Sequence, residues 1–141
     1  GIDSAIINLG GNILCIGDKP TGDDFVIGIQ KPFYNEPLLG LKVDGMSVVT
    51  SGTYERYFEQ DGVLYHHILD PDTGMPCNTG LLSVTIIAES GILCDCLSTG
   101  CFVMGMEDAM ELINSMENVY AVFVDDDYNV YYTEGANAFV K

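Results

Sequence analysis

An aspartate and a threonine, Asp95 and Thr99, stand four residues apart in a segment with helical periodicity. Residues at this spacing share one face of a helix, so a carboxylate and a hydroxyl would point the same way. Both are hard oxygen ligands, which suit Mg²⁺ or Ca²⁺ better than zinc. The neighbouring side chains are mostly apolar, and a carboxylate buried among them would need a partner. The spacing alone leaves an alternative open, in which Asp95 caps the helix start and Thr99 bonds to a carbonyl one turn earlier.

Two adjacent histidines, His66 and His67, form a second candidate group. Successive residues of a strand face opposite sides, so at most one of them can serve a given site. That histidine could act as an acid, a base or a ligand, whereas a purely structural role is the alternative for either. The other is expected at the surface. The segment 70–74 that follows, Asp-Pro-Asp-Thr-Gly, has the composition of a turn.

Two further segments could contact an anion. Gly10 and Gly11 follow a predicted strand and would let the backbone approach a ligand closely. They do not form a P-loop, because no helix with the corresponding lysine follows. Arg56, one of only five Lys and Arg residues, closes the sequence T-S-G-T-Y-E-R after another strand. In so acidic a chain it is either an ion-pair partner or a contact for an anion.

Most of the predicted strands precede the two predicted helices, and two more strands follow them. These elements must position the candidate side chains. Alternating and β-branched apolar residues predict strands over 5–9, 13–16, 25–30, 41–43, 47–50, 54–59, 63–69, 82–88, 120–124 and 128–132. Asp44-Gly45 and Asp61-Gly62 predict tight hairpins. Helical spacing predicts helices over 92–104 and 107–116, separated by Gly105. We therefore predict an α+β fold, a mostly antiparallel sheet with a helical pair packed on one face.

Charge and composition exclude several classes of function. The 141 residues include 21 Asp and Glu against 5 Lys and Arg, a net charge of −16. This length suits one domain with its own core. The charge argues against nucleic acid and anionic membrane surfaces, which both need clustered Lys and Arg. No apolar run is long enough to suggest a membrane-spanning helix. An anion could still bind with help from backbone amides, a helix N-terminus or a divalent cation.

The five cysteines are expected to be free thiols that pack as small apolar side chains. An odd number cannot pair completely within the chain, and no Cys/His spacing typical of zinc occurs. They are Cys15, Cys77, Cys94, Cys96 and Cys101.

Several motifs occur in an order that is more specific than any one of them. They are I-N-L-G-G-N over 7–12, V-V-T-S-G-T-Y-E-R over 48–56, H-I-L-D-P-D-T-G-M-P over 67–76, S-V-T over 83–85 and D-C-L-S-T over 95–99. In this order the chain resembles the ApbE family, the FAD:protein FMN transferases, along essentially its whole length. The resemblance implies an ApbE-like (T-fold-like) α+β architecture.

The activity implied by the resemblance is Mg²⁺-dependent. The enzyme takes FAD, transfers its FMN moiety to a Thr or Ser hydroxyl of a partner flavoprotein and releases AMP. The implied acceptors are subunits of membrane redox complexes, such as sodium-pumping NADH:quinone reductase and the related Rnf complex. The resemblance also implies a location at the extracytoplasmic face of the cell envelope.

The resemblance assigns roles to particular residues. Asp95 and Thr99 would bind the metal, and His67, rather than His66, would be the catalytic base. The nucleotide pocket would be lined by Asn8, Gly10 and Gly11, with Ser51, Gly52 and Arg56 as further candidates.

Two other functions stay open at this point. A family member could hydrolyse FAD to FMN and AMP with water as the acceptor, using the same metal site. A flavin-nucleotide-binding or scaffolding piece without catalysis is the second alternative. The presence of His67, Asp95 and Thr99 together favours an enzyme. Covalent, fluorescent FMN on a threonine-containing acceptor would separate transfer from both alternatives.

Family members are roughly twice this length, and carry an upstream segment resembling D-[LF]-G-x-[IL]-A-K-G that helps to bind metal and flavin nucleotide. We therefore expect residues 1–141 to be the C-terminal portion of such a domain, with the upstream half outside them. The apolar face left open would then be covered by an upstream fragment or by a second copy of the chain.

We predict that residues 1–141 alone bind FAD weakly and transfer no FMN, because half of the ligand contacts would be missing. Calorimetry with FAD and in-gel fluorescence of an acceptor measure the two properties. Tight FAD binding together with efficient transfer by a monomer would contradict this prediction.

Overall fold

The computed structural model describes all 141 residues as a central six-stranded sheet with two helices and two small hairpins. All strand pairs are antiparallel, and the central sheet has the order β1-β2-β5-β8-β9-β10. The elements are β1 (Ala5–Asn8), β2 (Asn12–Ile16), β3 (Phe25–Gln30), β4 (Pro37–Val43), β5 (Ser47–Gly52), β6 (Tyr57–Gln60), β7 (Val63–His66), β8 (Leu81–Ala88), α1 (Gly91–Met104), α2 (Met106–Asn114), β9 (Tyr120–Asp125), β10 (Val130–Tyr132) and the 3₁₀ turn Ala136–Phe139. The predicted α+β fold is confirmed.

Strand β8 is the centre of the core, and seven of its eight residues are buried. Its side chains alternate between the two faces of the sheet, as a pleated strand requires. Ile86 packs towards α1 and α2 in a cluster that includes Phe102. Ile87 packs towards the β3–β4 hairpin, in a cluster that includes Leu41. The sheet is therefore covered by helices on one face and by a hairpin on the other.

The two helices begin and end at residues suited to these positions. The Ser90 side chain accepts a hydrogen bond from the Leu93 amide at 3.3 Å and caps α1. The alternative in which Asp95 caps this helix is therefore wrong. Gly105, with a φ of 84°, ends α1 and precedes α2, as predicted. No helix is both long and apolar enough to cross a membrane.

One predicted hairpin is confirmed and the other is wrong. β6 and β7 pair around Asp61 and Gly62, which both have positive φ, as a type I′ turn requires. Around Asp44-Gly45, by contrast, the flanking strands do not pair: β4 pairs with β3, and β5 lies between β2 and β8. The chain crosses here from the covering hairpin into the central sheet.

The thiols are all free, as expected, and four of the five are buried. Cys96 is the exception, since it is exposed on α1.

We predict that Phe102→Ala costs about 3–5 kcal/mol of unfolding free energy, because it leaves a cavity between α1 and the sheet. Phe102 is 0% exposed, whereas Ile92 on the same helix is 81% exposed. Ile92→Ala is therefore the matched control and should change stability by no more than about 0.5 kcal/mol. Urea unfolding followed by circular dichroism measures both. A loss below about 1 kcal/mol for Phe102→Ala would contradict this account of the core.

Candidate active site

A cavity of about 380 Å³ opens where β2, β5 and α1 meet the β3 strand and the segment after β5. Eight of the nine residues that the sequence suggested for the site line this cavity. They come from five separate parts of the chain and are Gly10, Gly11, Ser51, Gly52, Arg56, His67, Asp95 and Thr99. The fold thus brings together the residues of all the main candidate motifs.

Asp95 and Thr99 lie on the side of α1 that faces this cavity, and both are exposed. The expectation that Asp95 is surrounded by apolar groups is wrong, because its apolar neighbours, apart from the exposed Cys96, pack into the core beneath the helix. The Asn12 amide, Nδ2, donates a hydrogen bond of 3.1 Å to Asp95 Oδ1. This bond connects the start of β2 to the second turn of α1.

A group of hydroxyls holds the other candidate ligand. Ser51 Oγ lies 2.9 Å from Thr99 Oγ1 and 2.8 Å from Ser98 Oγ. Ser98, not Thr99, bonds back within the helix, through a 3.1 Å hydrogen bond to the Asp95 carbonyl. The alternative of a back-bonded Thr99 is therefore wrong, and its hydroxyl faces β5.

The two histidines occupy different environments. His67 is exposed and lines the cavity. His66 is only 7% exposed, so its expected place at the surface is wrong. The Ile68 amide donates to His66 Nδ1 at 3.3 Å, so the proton sits on Nε2, which donates to the Cys77 carbonyl at 3.1 Å. Burial lowers the pKa of His66, the bond to Cys77 opposes this, and the nearby His67 adds to the lowering. His66 is thus a neutral structural residue.

The glycine turn is shaped by a residue that was expected in the pocket. Gly10 and Gly11 have φ values of 73° and 104°, which side-chain-bearing residues rarely adopt. The Asn8 carbonyl oxygen, Oδ1, accepts the Gly11 amide at 3.0 Å. Asn8 itself is not among the lining residues. Its side chain holds the turn, and the two glycines present their backbone to the cavity.

The segment after β5 adds an aromatic wall and a cation. A Cβ at Gly52 would lie 2.5 Å from the Tyr54 ring, so only glycine allows this ring to lie against β5. Burial, together with the nearby Glu55, raises the pKa of Tyr54 to about 12, which keeps the phenol protonated. Arg56 forms no ion pair, because the single salt bridge joins Lys31 and Glu36. Its guanidinium is therefore available to an anion in the cavity.

Sequence reasoning missed several residues of the cavity. Asn12 is one of them, and its position directly before a predicted strand, next to a candidate site, was a usable signal. Gln30 and Gly28 line the cavity from β3. No signal in the sequence could have found them, because their place depends on how the β3–β4 hairpin packs over the sheet.

The side-chain oxygens of Asp95 and Thr99 would suit a Mg²⁺ ion shared with a substrate better than a metal enclosed by protein. No group of three or more His, Cys, Asp or Glu residues is arranged to hold a metal. Mg²⁺, however, typically uses one or two carboxylates and completes its shell with water and substrate phosphates. Asn12 provides the one side-chain hydrogen bond to the Asp95 carboxylate, so further lone pairs stay free for a cation.

Comparison with known proteins gives consistent matches. The model of the ApbE family matches residues 1–123. The chain is 43% identical over 140 residues to FAD:protein FMN transferase of Treponema pallidum, covering 92% of this chain and 38% of that protein. It is 42% identical over 131 residues to the enzyme of the same name from Klebsiella pneumoniae, covering 92% and 40%.

Solved structures agree with these sequence matches. The ApbE protein of Thermotoga maritima superposes with a TM-score of 0.87 at 36% identity, over 98% of this chain and 45% of that one. The apo flavinyl transferase ApbE of Pseudomonas stutzeri gives 0.79 at 33% identity, over 99% and 44%. The chain thus spans about two-fifths of the length of the curated relatives named above.

We predict that the contribution of His66 to stability decreases as the pH falls below about 6.5, the ordinary histidine pKa. The folded state keeps His66 neutral, so the unfolded state binds more protons there and is favoured by acid. This contribution should therefore rise with pH through this range and level off above it. His66→Gln should flatten this dependence between pH 5 and 7.5, after correction for its own destabilisation at pH 7.5. Thermal unfolding across this range is the measurement, and an unchanged slope in the variant would contradict the assignment.

Proposed function

This chain belongs to the ApbE family, and from that premise we propose that its cavity serves the transfer of FMN from FAD to a Thr or Ser hydroxyl of a partner flavoprotein. One observation carries the proposal. An exposed histidine, a carboxylate and a hydroxyl one turn apart on α1, a glycine turn and an arginine without an ion pair line the same cavity. A relative that bears the name FAD:protein FMN transferase is 43% identical to the chain.

Binding of the FAD pyrophosphate has to overcome a net charge of −16. The Arg56 guanidinium and the Gly10 amide are the groups of the cavity that can attract an anion, since the Gly11 amide is already bonded to Asn8. Asp95 and Thr99 would hold Mg²⁺ on the same substrate. When bound, the cation neutralises phosphate charge and makes the phosphorus more electrophilic.

His67 is the general base in this proposal. The acceptor hydroxyl attacks the phosphorus of the FMN half, and its proton passes to the His67 imidazole. The new bond joins the acceptor oxygen to the FMN phosphate. The bond that breaks is the pyrophosphate bond, and AMP leaves with its electron pair. The exposed position of His67 leaves room for a protein acceptor at the cavity.

The partners and location belong to the same proposal. By family resemblance, the acceptors are flavoprotein subunits of membrane redox complexes of the NADH:quinone reductase and Rnf types, at the extracytoplasmic face of the cell envelope. Exposed apolar side chains beside the site, among them Leu9 and Ile92, offer a surface for an upstream fragment or a second copy of the chain.

The deciding experiment incubates the full-length protein with FAD, Mg²⁺ and a threonine-containing acceptor. Transfer gives an acceptor with covalent, fluorescent FMN and an equal amount of AMP. Free FMN with AMP and an unlabelled acceptor would instead indicate a pyrophosphatase. Bound but unchanged FAD would indicate a binding protein, and either result would overturn the proposal.

We predict that His67→Ala lowers the transfer rate by about 10²–10⁴-fold, the usual contribution of base catalysis. The melting temperature should stay within experimental error, because the side chain is exposed. His66→Ala should show the opposite pattern, a lower melting temperature with a much smaller effect on the rate of the folded fraction. A His67→Ala enzyme with wild-type rate would rule out this role.

Asp95→Asn is expected to abolish transfer at ordinary Mg²⁺ concentrations, because it removes the one carboxylate among the proposed ligands. The control is Asp108→Asn, which removes an exposed charge from the first turn of α2, outside the cavity. Steady-state transfer rates over a Mg²⁺ titration compare the two variants. Full activity of Asp95→Asn would exclude Asp95 as a ligand.

A further inference from the structure

Asn12 connects two elements that are far apart in the sequence. It is the first residue of β2, and its amide donates to Asp95 Oδ1 on α1, 83 residues later. Its backbone is fixed on two sides: the Asn12 carbonyl accepts the Leu9 amide at 3.0 Å, and the residue pairs with Val49 of β5. The donor therefore stands on a rigid part of the sheet.

Asp95 has few other constraints. Its side chain is exposed, and the bond from Asn12 is the only side-chain hydrogen bond that its carboxylate receives. An exposed aspartate without a partner would sample several rotamers, and each rotamer frozen on binding costs entropy. A fixed donor selects one rotamer in advance.

We propose that Asn12 is a positioning residue, which orients the Asp95 carboxylate for a divalent cation on the substrate. This inference rests on the proposed function, since it requires Asp95 to be a ligand. Hydrogen-bond partners behind a metal ligand commonly contribute 10–100-fold to metal affinity.

The chemistry of an asparagine suits this role. Its amide donates one hydrogen bond and brings no charge. A lysine or arginine at this place would form an ion pair with Asp95 and compete with the cation. The second candidate ligand, Thr99, is also contacted by a strand: Ser51 of β5, which is adjacent to β2, lies 2.9 Å from its hydroxyl. Two paired strands thus hold both oxygens of the proposed site.

The test measures Mn²⁺ binding to the full-length protein in the presence of FAD by electron paramagnetic resonance, with Mn²⁺ replacing Mg²⁺. The variants are Asn12→Ala, Asn12→Leu, which keeps most of the volume without the donor, and Asp95→Ala. Asn137→Ala is the matched control, since it removes an exposed amide outside the cavity. Melting temperatures without metal are recorded for all variants, and for the double variant of Asn12→Ala with Asp95→Ala.

We expect both Asn12 variants to weaken Mn²⁺ binding by about 10–100-fold, and Asn137→Ala to leave it unchanged. In the full-length protein the same variants should raise the Mg²⁺ concentration needed for half-maximal transfer, while saturating Mg²⁺ largely restores kcat. The melting-temperature changes of Asn12→Ala and Asp95→Ala should not add, because one hydrogen bond is lost in both.

Three results would overturn the inference, and they have different meanings. Wild-type Mn²⁺ affinity in the Asn12 variants, with the affinity lost in Asp95→Ala, would show that Asp95 binds the metal without help from Asn12. An affinity that Asp95→Ala leaves unchanged would remove Asp95 from the metal site, and the metal part of the proposed function with it. A loss of affinity that simply follows a loss of melting temperature would make Asn12 structural.

Discussion

Burial of β8 on both of its faces is the constraint on which the rest of the structure depends. One face of this strand needs the helices, and the other needs the β3–β4 hairpin. Because both layers are anchored to the same strand, their relative position is fixed by core packing and not by the loops that connect them. The cavity lies at the edge of this arrangement, where α1 and β3 meet the ends of β2 and β5. Its walls therefore have the stiffness of the core, although its polar groups are exposed.

The acidic composition and the proposed anionic substrate can coexist because the site uses few formal charges of its own. Asp95 and Glu55 are the only carboxylates of the cavity, and Arg56 is its only permanently charged cation. In the proposed function, the Gly10 amide and a divalent cation shared with the substrate would supply the remaining attraction. A binding site with so few charges depends more on the precise orientation of its polar side chains than on the number of its charges. This explains why asparagine and serine side chains hold the candidate ligands.

Local patterns in the sequence predicted most helices and strands. Which strands pair with each other, and which side chains are exposed, depends on tertiary packing and could not be predicted. The Asp61-Gly62 turn formed its hairpin because both flanking strands can pair locally. The similar Asp44-Gly45 signal failed because β4 is needed over the second face of β8 and β5 is needed within the sheet. In the same way, the i, i+4 spacing of Asp95 and Thr99 correctly predicted that both side chains point from the same face of the helix. Their exposure, and the hydrogen bond from Asn12 to Asp95, could not be predicted, since these depend on where β2 lies relative to α1.

The histidine pair shows how the end of one strand separates a structural role from a chemical one. His66 is the last residue of β7 and faces the core and the Phe102 ring, whereas His67 lies just after the strand and faces the cavity. The buried ring is held by the Ile68 amide and the Cys77 carbonyl, which fix the chain immediately before and after His67. The Arg56 carbonyl also accepts the His67 amide at 3.1 Å and ties the backbone of both cavity residues together. An exposed imidazole thereby gains a defined position without being buried itself, because the backbone on either side of it is anchored in the core.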